Sequence, residues 1–195
     1  MAAGLRRPAA NVLTEKILMN SIETIWGLAL ALACYGGWID WRTRRIPNWL
    51  TVSGALAGLA TNAILQGWHG AAISLEGMGM ALGLLLPLVL LRGFGAGDWK
   101  LMGAMGAVLG WQEMLAVLFA SAVISGVMAV FKMVAARRVK ETLWNVMTLA
   151  MGFATFGLRA NPEISLDNPN LIKQPFGAAV AVATVLSFVL AHWRH

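Results

Sequence analysis

Two aspartates stand where an otherwise apolar chain changes character. Asp98 closes the glycine-rich part of Gly93-Phe94-Gly95-Ala96-Gly97-Asp98-Trp99-Lys100, between two hydrophobic runs. Asp40 ends the first apolar run, just before Trp41-Arg42-Thr43-Arg44-Arg45-Ile46-Pro47-Asn48. An ionised carboxylate in or beside hydrocarbon is costly unless it is paired or protonated, so an acid at this depth points to function. The glycines around Asp98 suit that reading, because residues without a Cβ let backbone approach backbone or substrate closely. If the two carboxyls meet, they cannot comfortably ionise together: one holds a proton while the other accepts one from water. Paired aspartates hydrolyse amides in this way, with neither metal nor nucleophilic side chain. The residues alone leave two other roles open, helix capping and cation binding.

The elements that must position this pair are membrane helices. The chain has 195 residues, 58% hydrophobic and 12% charged, with a mean hydropathy of +0.69, against roughly 45–50% apolar and 25% charged in soluble domains. Apolar runs at Thr24–Ile39, Trp49–Leu65, Ala71–Leu91, Met114–Val134 and Phe176–Ala191 approach the roughly 17–25 residues a spanning helix needs. A sixth, Leu101–Trp111, covers only about half of a ~30 Å core and reads as a short, tilted or partly re-entrant span. The expected fold is therefore an all-α polytopic bundle of about six transmembrane helices. Residues 1–20 form a flexible or interfacial arm rather than a signal peptide, and residues 21–195 form the membrane domain. In 141–158, Thr142, Asn145, Thr148, Gly152 and Thr155 fall three or four apart, which predicts an amphipathic helix lying at the interface. A turn-rich loop with a solvated Asp167 follows at Asn161–Asn170.

The net charge of +6 reads as topology, not as a nucleic-acid surface. Arg42, Arg44, Arg45, Arg92, Lys100, Lys132, Arg137, Arg138, Lys140, Arg159 and Lys173 fall on one side if the six spans alternate, leaving Arg6, Arg7, Lys16 and Arg194 on the other. The positive-inside rule makes the first side cytoplasmic and puts both termini outside. Asp40 and Asp98 then lie at one membrane depth. Glu23, Glu76 and Gln112-Glu113 fall at the outer side, away from the pair. His69, in the short outer loop Gln66–Gly70, is solvated. Three scattered histidines and a single cysteine, Cys34, exclude an intramolecular disulfide and the four-ligand pattern of structural zinc. Gly54-x-x-x-Gly58 and Gly106-x-x-x-Gly110 predict close helix packing, and Pro47 suits the first turn of the second helix.

Asp40 with Arg42, Ile46-Pro47-Asn48, Gly95-Ala96-Gly97-Asp98-Trp99-Lys100 and Gln174-Pro175-Phe176-Gly177 together resemble the type IV prepilin peptidases, a family of Gly-x-Gly-Asp intramembrane aspartic proteases. The resemblance covers about residues 24–191. It implies cleavage of the leader from prepilins and pseudopilins at the cytoplasmic face of the bacterial inner membrane, with Asp40 and Asp98 as the catalytic dyad. Gly95, Gly97, Lys100, Arg42, Pro47 and Asn48 become substrate-binding or supporting residues, and a charge partner for Asp98 is one option for Lys100. No cofactor or metal is implied; the partners are the prepilin substrates and membrane lipid. The chain lacks the paired Cys-x-x-Cys motifs of the larger members, which accompany N-methylation of the mature pilin, and is most similar to the small peptidases of the Flp/Tad systems. Trp99 stands where an aliphatic residue is more usual. The competing class is a small transporter or channel component in which the aspartates relay protons or bind a cation. A metal-dependent lipid phosphotransferase would need more acids on the inner face.

Overall fold

A computed structural model of the chain describes residues 9–90, 94–135, 144, 147 and 175–193. The fold is all-helical, with no strand among the described residues, as an apolar chain in lipid requires: helices satisfy every backbone polar group within the segment. Among the described residues four long helices carry it, α1 (Ala9–Thr43), α2 (Asn48–Leu90), α3 (Ala96–Ala135) and α4 (Phe176–Trp193). All four are long and apolar enough to cross a membrane. Residues 9–20, expected to form an arm, are helical and continuous with α1.

Six separate segments were expected and four continuous helices are found, because two expected connections shrink to single glycines. A straight α2 of 43 residues would reach about 65 Å, twice the hydrocarbon thickness. It does not run straight. Gly67, at φ 63°, occupies the left-handed region that a residue without Cβ enters freely. Asn62 Nδ2, before the break, donates to the carbonyls of Ala107 and Val108 at 3.1 and 3.0 Å. Ser74 Oγ, after it, donates to the same Ala107 carbonyl at 2.6 Å. Those two residues would be about 18 Å apart along an unbroken helix, so the chain doubles back at Gly67. Gly110, at φ 76° and ψ 174°, interrupts α3 in a similar way. His69, expected in a loop, is exposed and helical, just past Gly67.

The segment expected to be a short or re-entrant span is the centre of the protein. Leu101, Met102, Met105 and Val108 are essentially inaccessible, and small residues between them admit close neighbours. Gly103 faces Leu82, Gly106 faces the backbone of Gly77, and Gly58 faces Ala107 and Val108. Both Gly-x-x-x-Gly pairs therefore lie in tight contacts, Gly54 against Leu32 and Gly110 against Ile73, so the expected close packing is found.

The outer surface is apolar, with Leu90, Phe119 and Phe131 among its most exposed side chains. Six of the seven exposed tryptophans among the described residues fall into two sets: Trp38, Trp41 and Trp49 near the α1–α2 junction, and Trp68, Trp111 and Trp193 at the opposite end. Tryptophan gathers at both membrane–water boundaries. Of the expected interfacial helix, only Trp144 and Met147 are described, both helical and exposed; the loop at 161–170, Asp167, Arg92 and Lys173 lie outside the described residues.

Candidate active site

The end of α1 is closed by unusual backbone. Arg44 adopts a left-handed φ of 51° and donates its N–H to the Asp40 carbonyl at 2.8 Å, an αL cap of the kind glycine normally supplies. The Thr43 hydroxyl lies 2.9 and 3.0 Å from the carbonyl oxygens of Ile39 and Arg45. This abrupt stop lets Ile46 and half-buried Pro47 turn the chain into α2, where the Leu50 N–H donates to the Pro47 carbonyl at 3.2 Å. Ile46 is buried against Gly97, whose absent Cβ would come within 3.3 Å of it. The α1–α2 corner is thereby locked to the start of α3.

Asp40, on the last turn of α1, is 6% exposed. Its Oδ2 accepts the backbone N–H of Gly177 at 2.8 Å. Gly177 is the second residue of α4, and the first N–H groups of a helix have no partner within it and carry the positive end of its dipole. The carboxylate thus receives a charge-assisted bond from a helix terminus. A Cβ on Gly177 would lie 2.9 Å from Asp40 Cβ and 3.0 Å from Oδ2, so only glycine fits there. One turn back on α1, Gly37 is pressed against the Gly177 carbonyl and Ala181.

Asp98 occupies the first turn of α3, where Gly95 caps the helix by accepting the Trp99 N–H at 3.0 Å. Gly95 leaves no room for a side chain, since its Cβ would fall 2.7 Å from Asp98 Oδ2. Asp98 Oδ1 is buried and meets no hydrogen-bond donor among the described residues. The two carboxyl groups lie within electrostatic reach of one another. Phe94 and Phe176 pack edge to face at 4.9 Å, joining the segment that precedes Asp98 to the start of α4. Three helix ends, distant in sequence, converge on the two acids.

The remaining expected site residues divide. Lys100 Nζ donates to Asn48 Oδ1 at 3.0 Å, tying the Ile-Pro-Asn turn to the α3 start; that contact, not a pairing with Asp98, is what the described residues hold. Arg42 stands on the exposed side of α1 with its guanidinium 4.8 Å from the Trp38 ring, an interfacial cation–π contact. Trp99 gains a reason for its bulk: its indole N–H donates to the Leu82 carbonyl at 2.8 Å, anchoring α3 to the second arm of α2. Sequence reading missed Gly177 as a member of the site, although its motif was visible.

The arrangement joins a carboxylate held by a helix N-terminus to a second carboxyl with an oxygen unpaired among the described residues, at the end of an apolar bundle. The family model for the type IV leader peptidase family matches residues 27–130, which contain Asp40, Asp98 and the Pro47-Asn48 turn but not Gly177. No curated protein and no solved structure matches the chain.

Proposed function

From the premise that this chain belongs to the type IV leader peptidase family, we propose that it is an aspartic endopeptidase that cuts the leader from prepilins or pseudopilins of the Flp type, with Asp40 and Asp98 as its dyad. The observation that carries this reading is the asymmetry of the two acids. Asp40 accepts the Gly177 amide, a bond that favours the ionised form. Asp98 keeps a buried oxygen that meets no donor among the described residues, placed to engage a substrate.

In this mechanism Asp40 takes a proton from water as the water oxygen attacks the scissile carbonyl carbon. Asp98, holding the proton the pair shares, gives it to the carbonyl oxygen to form a tetrahedral diol. Collapse breaks the C–N bond as the proton held on Asp40 passes to the leaving amine and a diol hydroxyl returns its proton to Asp98, which restores the shared proton of the pair. Gly95 leaves the Asp98 carboxyl unobstructed and Gly97 lets Ile46 close against the α3 start, while the Lys100–Asn48 contact fixes the rim.

Each arm of α2 and of α3 counts as a separate crossing in this reading, which gives six. The end bearing Arg42, Arg44, Arg45 and Lys100 faces the cytoplasm of the inner membrane, and residues 1–20 form an arm beside one peptidase domain, 21–195. Co-expression with a candidate prepilin tests the assignment by a leader-length mobility shift. Asp40→Asn and Asp98→Asn should each abolish the shift while the protein still inserts; near wild-type processing by either variant would overturn the dyad.

A further inference from the structure

At the end of the bundle opposite the aspartates, α1, α3 and α4 enclose a cavity of about 270 Å³. Its wall is apolar, with Met19, Trp26 and Leu109, and its polar groups are Glu23, Glu113 and His192, one from each helix. No lysine or arginine lines it among the described residues. Neither glutamate belongs to the dyad chemistry, and each comes from a different helix to the same opening.

We propose that this cavity is a binding site for a phospholipid with a primary-amine headgroup, phosphatidylethanolamine in chemical terms. Depth is the first argument. Glu23 precedes Asp40 by seventeen residues of one helix, about 26 Å, and His192 follows Gly177 by fifteen, about 22 Å. Both spacings are close to the thickness of a hydrocarbon core, so with the dyad at one boundary the cavity opens at the headgroup level of the other. Trp68, Trp111 and Trp193, exposed at that end, mark the same level.

Charge complementarity is the second argument. The two carboxylates face an opening that no described lysine or arginine lines, which suits an ammonium. A primary ammonium carries three N–H donors for them, whereas a trimethylated one has none. The His192 ring, tilted against Phe188 with centroids 4.3 Å apart, has an N–H for the phosphate. The volume is near the lower bound of small-molecule sites, enough for a headgroup and the first methylenes against Trp26 and Leu109. The acyl chains would continue along the exposed apolar surface.

Native mass spectrometry of the full chain in detergent tests the proposal, with equimolar phosphatidylethanolamine, phosphatidylcholine and phosphatidylglycerol of identical chains. One copy of the ethanolamine lipid should be retained with a preference of about fivefold over the others, the size expected for exposed charge pairs. Glu23→Gln with Glu113→Gln should erase that preference. Equal retention of ethanolamine and choline lipids by the wild type would reduce the cavity to a place for any annular lipid and overturn the proposal, as would a preference that survives the double substitution. If the double variant fails to purify, Ile22→Trp, which fills the cavity without touching a charge, takes its place with the same expected loss.

Discussion

Replacing Gly177 by alanine changes one hydrogen for a methyl group, at the point where α4 touches Asp40. The new Cβ would lie 2.9 Å from Asp40 Cβ and 3.2 Å from its Cγ, where carbon pairs normally rest at about 3.5–4.0 Å. Relief requires Asp40 or the α4 terminus to retreat by the better part of an ångström. Overpacking of this kind costs about 1–3 kcal/mol of stability, which an inserted bundle can absorb. Activity should respond more steeply, because a misplacement of about 1 Å in a catalytic group lowers rate by about 100-fold. Turnover of a purified prepilin by Gly177→Ala should therefore fall about 100-fold in kcat with KM little changed, since the dyad and not the peptide-binding surface has moved. Gly27→Ala is the control. Nothing lies within 4 Å of the Cβ it would add, so helix propensity makes it neutral or stabilising by up to about 1 kcal/mol. Wild-type kcat in Gly177→Ala would refute the idea that the α4 amide sets the position of Asp40.

Asn62→Leu should lower stability by about 1–3 kcal/mol, read by thermal unfolding in detergent, because Asn62 is 2% exposed and donates to Gly58, Ala107 and Val108. With Cys34 first removed, a cysteine placed at Arg44 should resist a membrane-impermeant thiol reagent in intact cells while one at His69 labels; the reverse pattern would invert the proposed orientation. Cleavage should survive chelators, and intact mass of pilin processed in the presence of S-adenosylmethionine should show an unmodified N-terminus; a gain of one methyl group would reveal a second activity.

Asp40 and Asp98 could be read from the sequence because an acid inside an apolar run has few structural uses. Gly67 and Gly110 could be anticipated less well. Hydropathy shows where apolar runs falter, but not that a turn needs only one residue in a left-handed or extended glycine conformation, so two connections were drawn longer than they are. The central place of Leu101–Val108 was hidden for a different reason: apolar side chains look alike whether they face lipid or protein, and only the Gly106-x-x-x-Gly110 pair hinted at enclosure. The Gly177 contact bridges 137 positions through a backbone donor, which every residue except proline carries, so no side-chain pattern announces it. Lys100 was legible as a neighbour of the site, but its partner Asn48 depends on where the α1–α2 corner lands.

The dependence of Asp40 on α4 also has a meaning in time. A ribosome feeding this chain into a membrane delivers both aspartates well before residue 177, and until then the α1 carboxylate lacks its amide. If the aspartates cut as proposed, the nascent chain carries its reagents but not their final alignment. Processing then waits on docking of the last described helix. A chain stalled before α4 would insert without cutting, so the arrival of that helix would act as the safeguard against a loose protease in the bilayer.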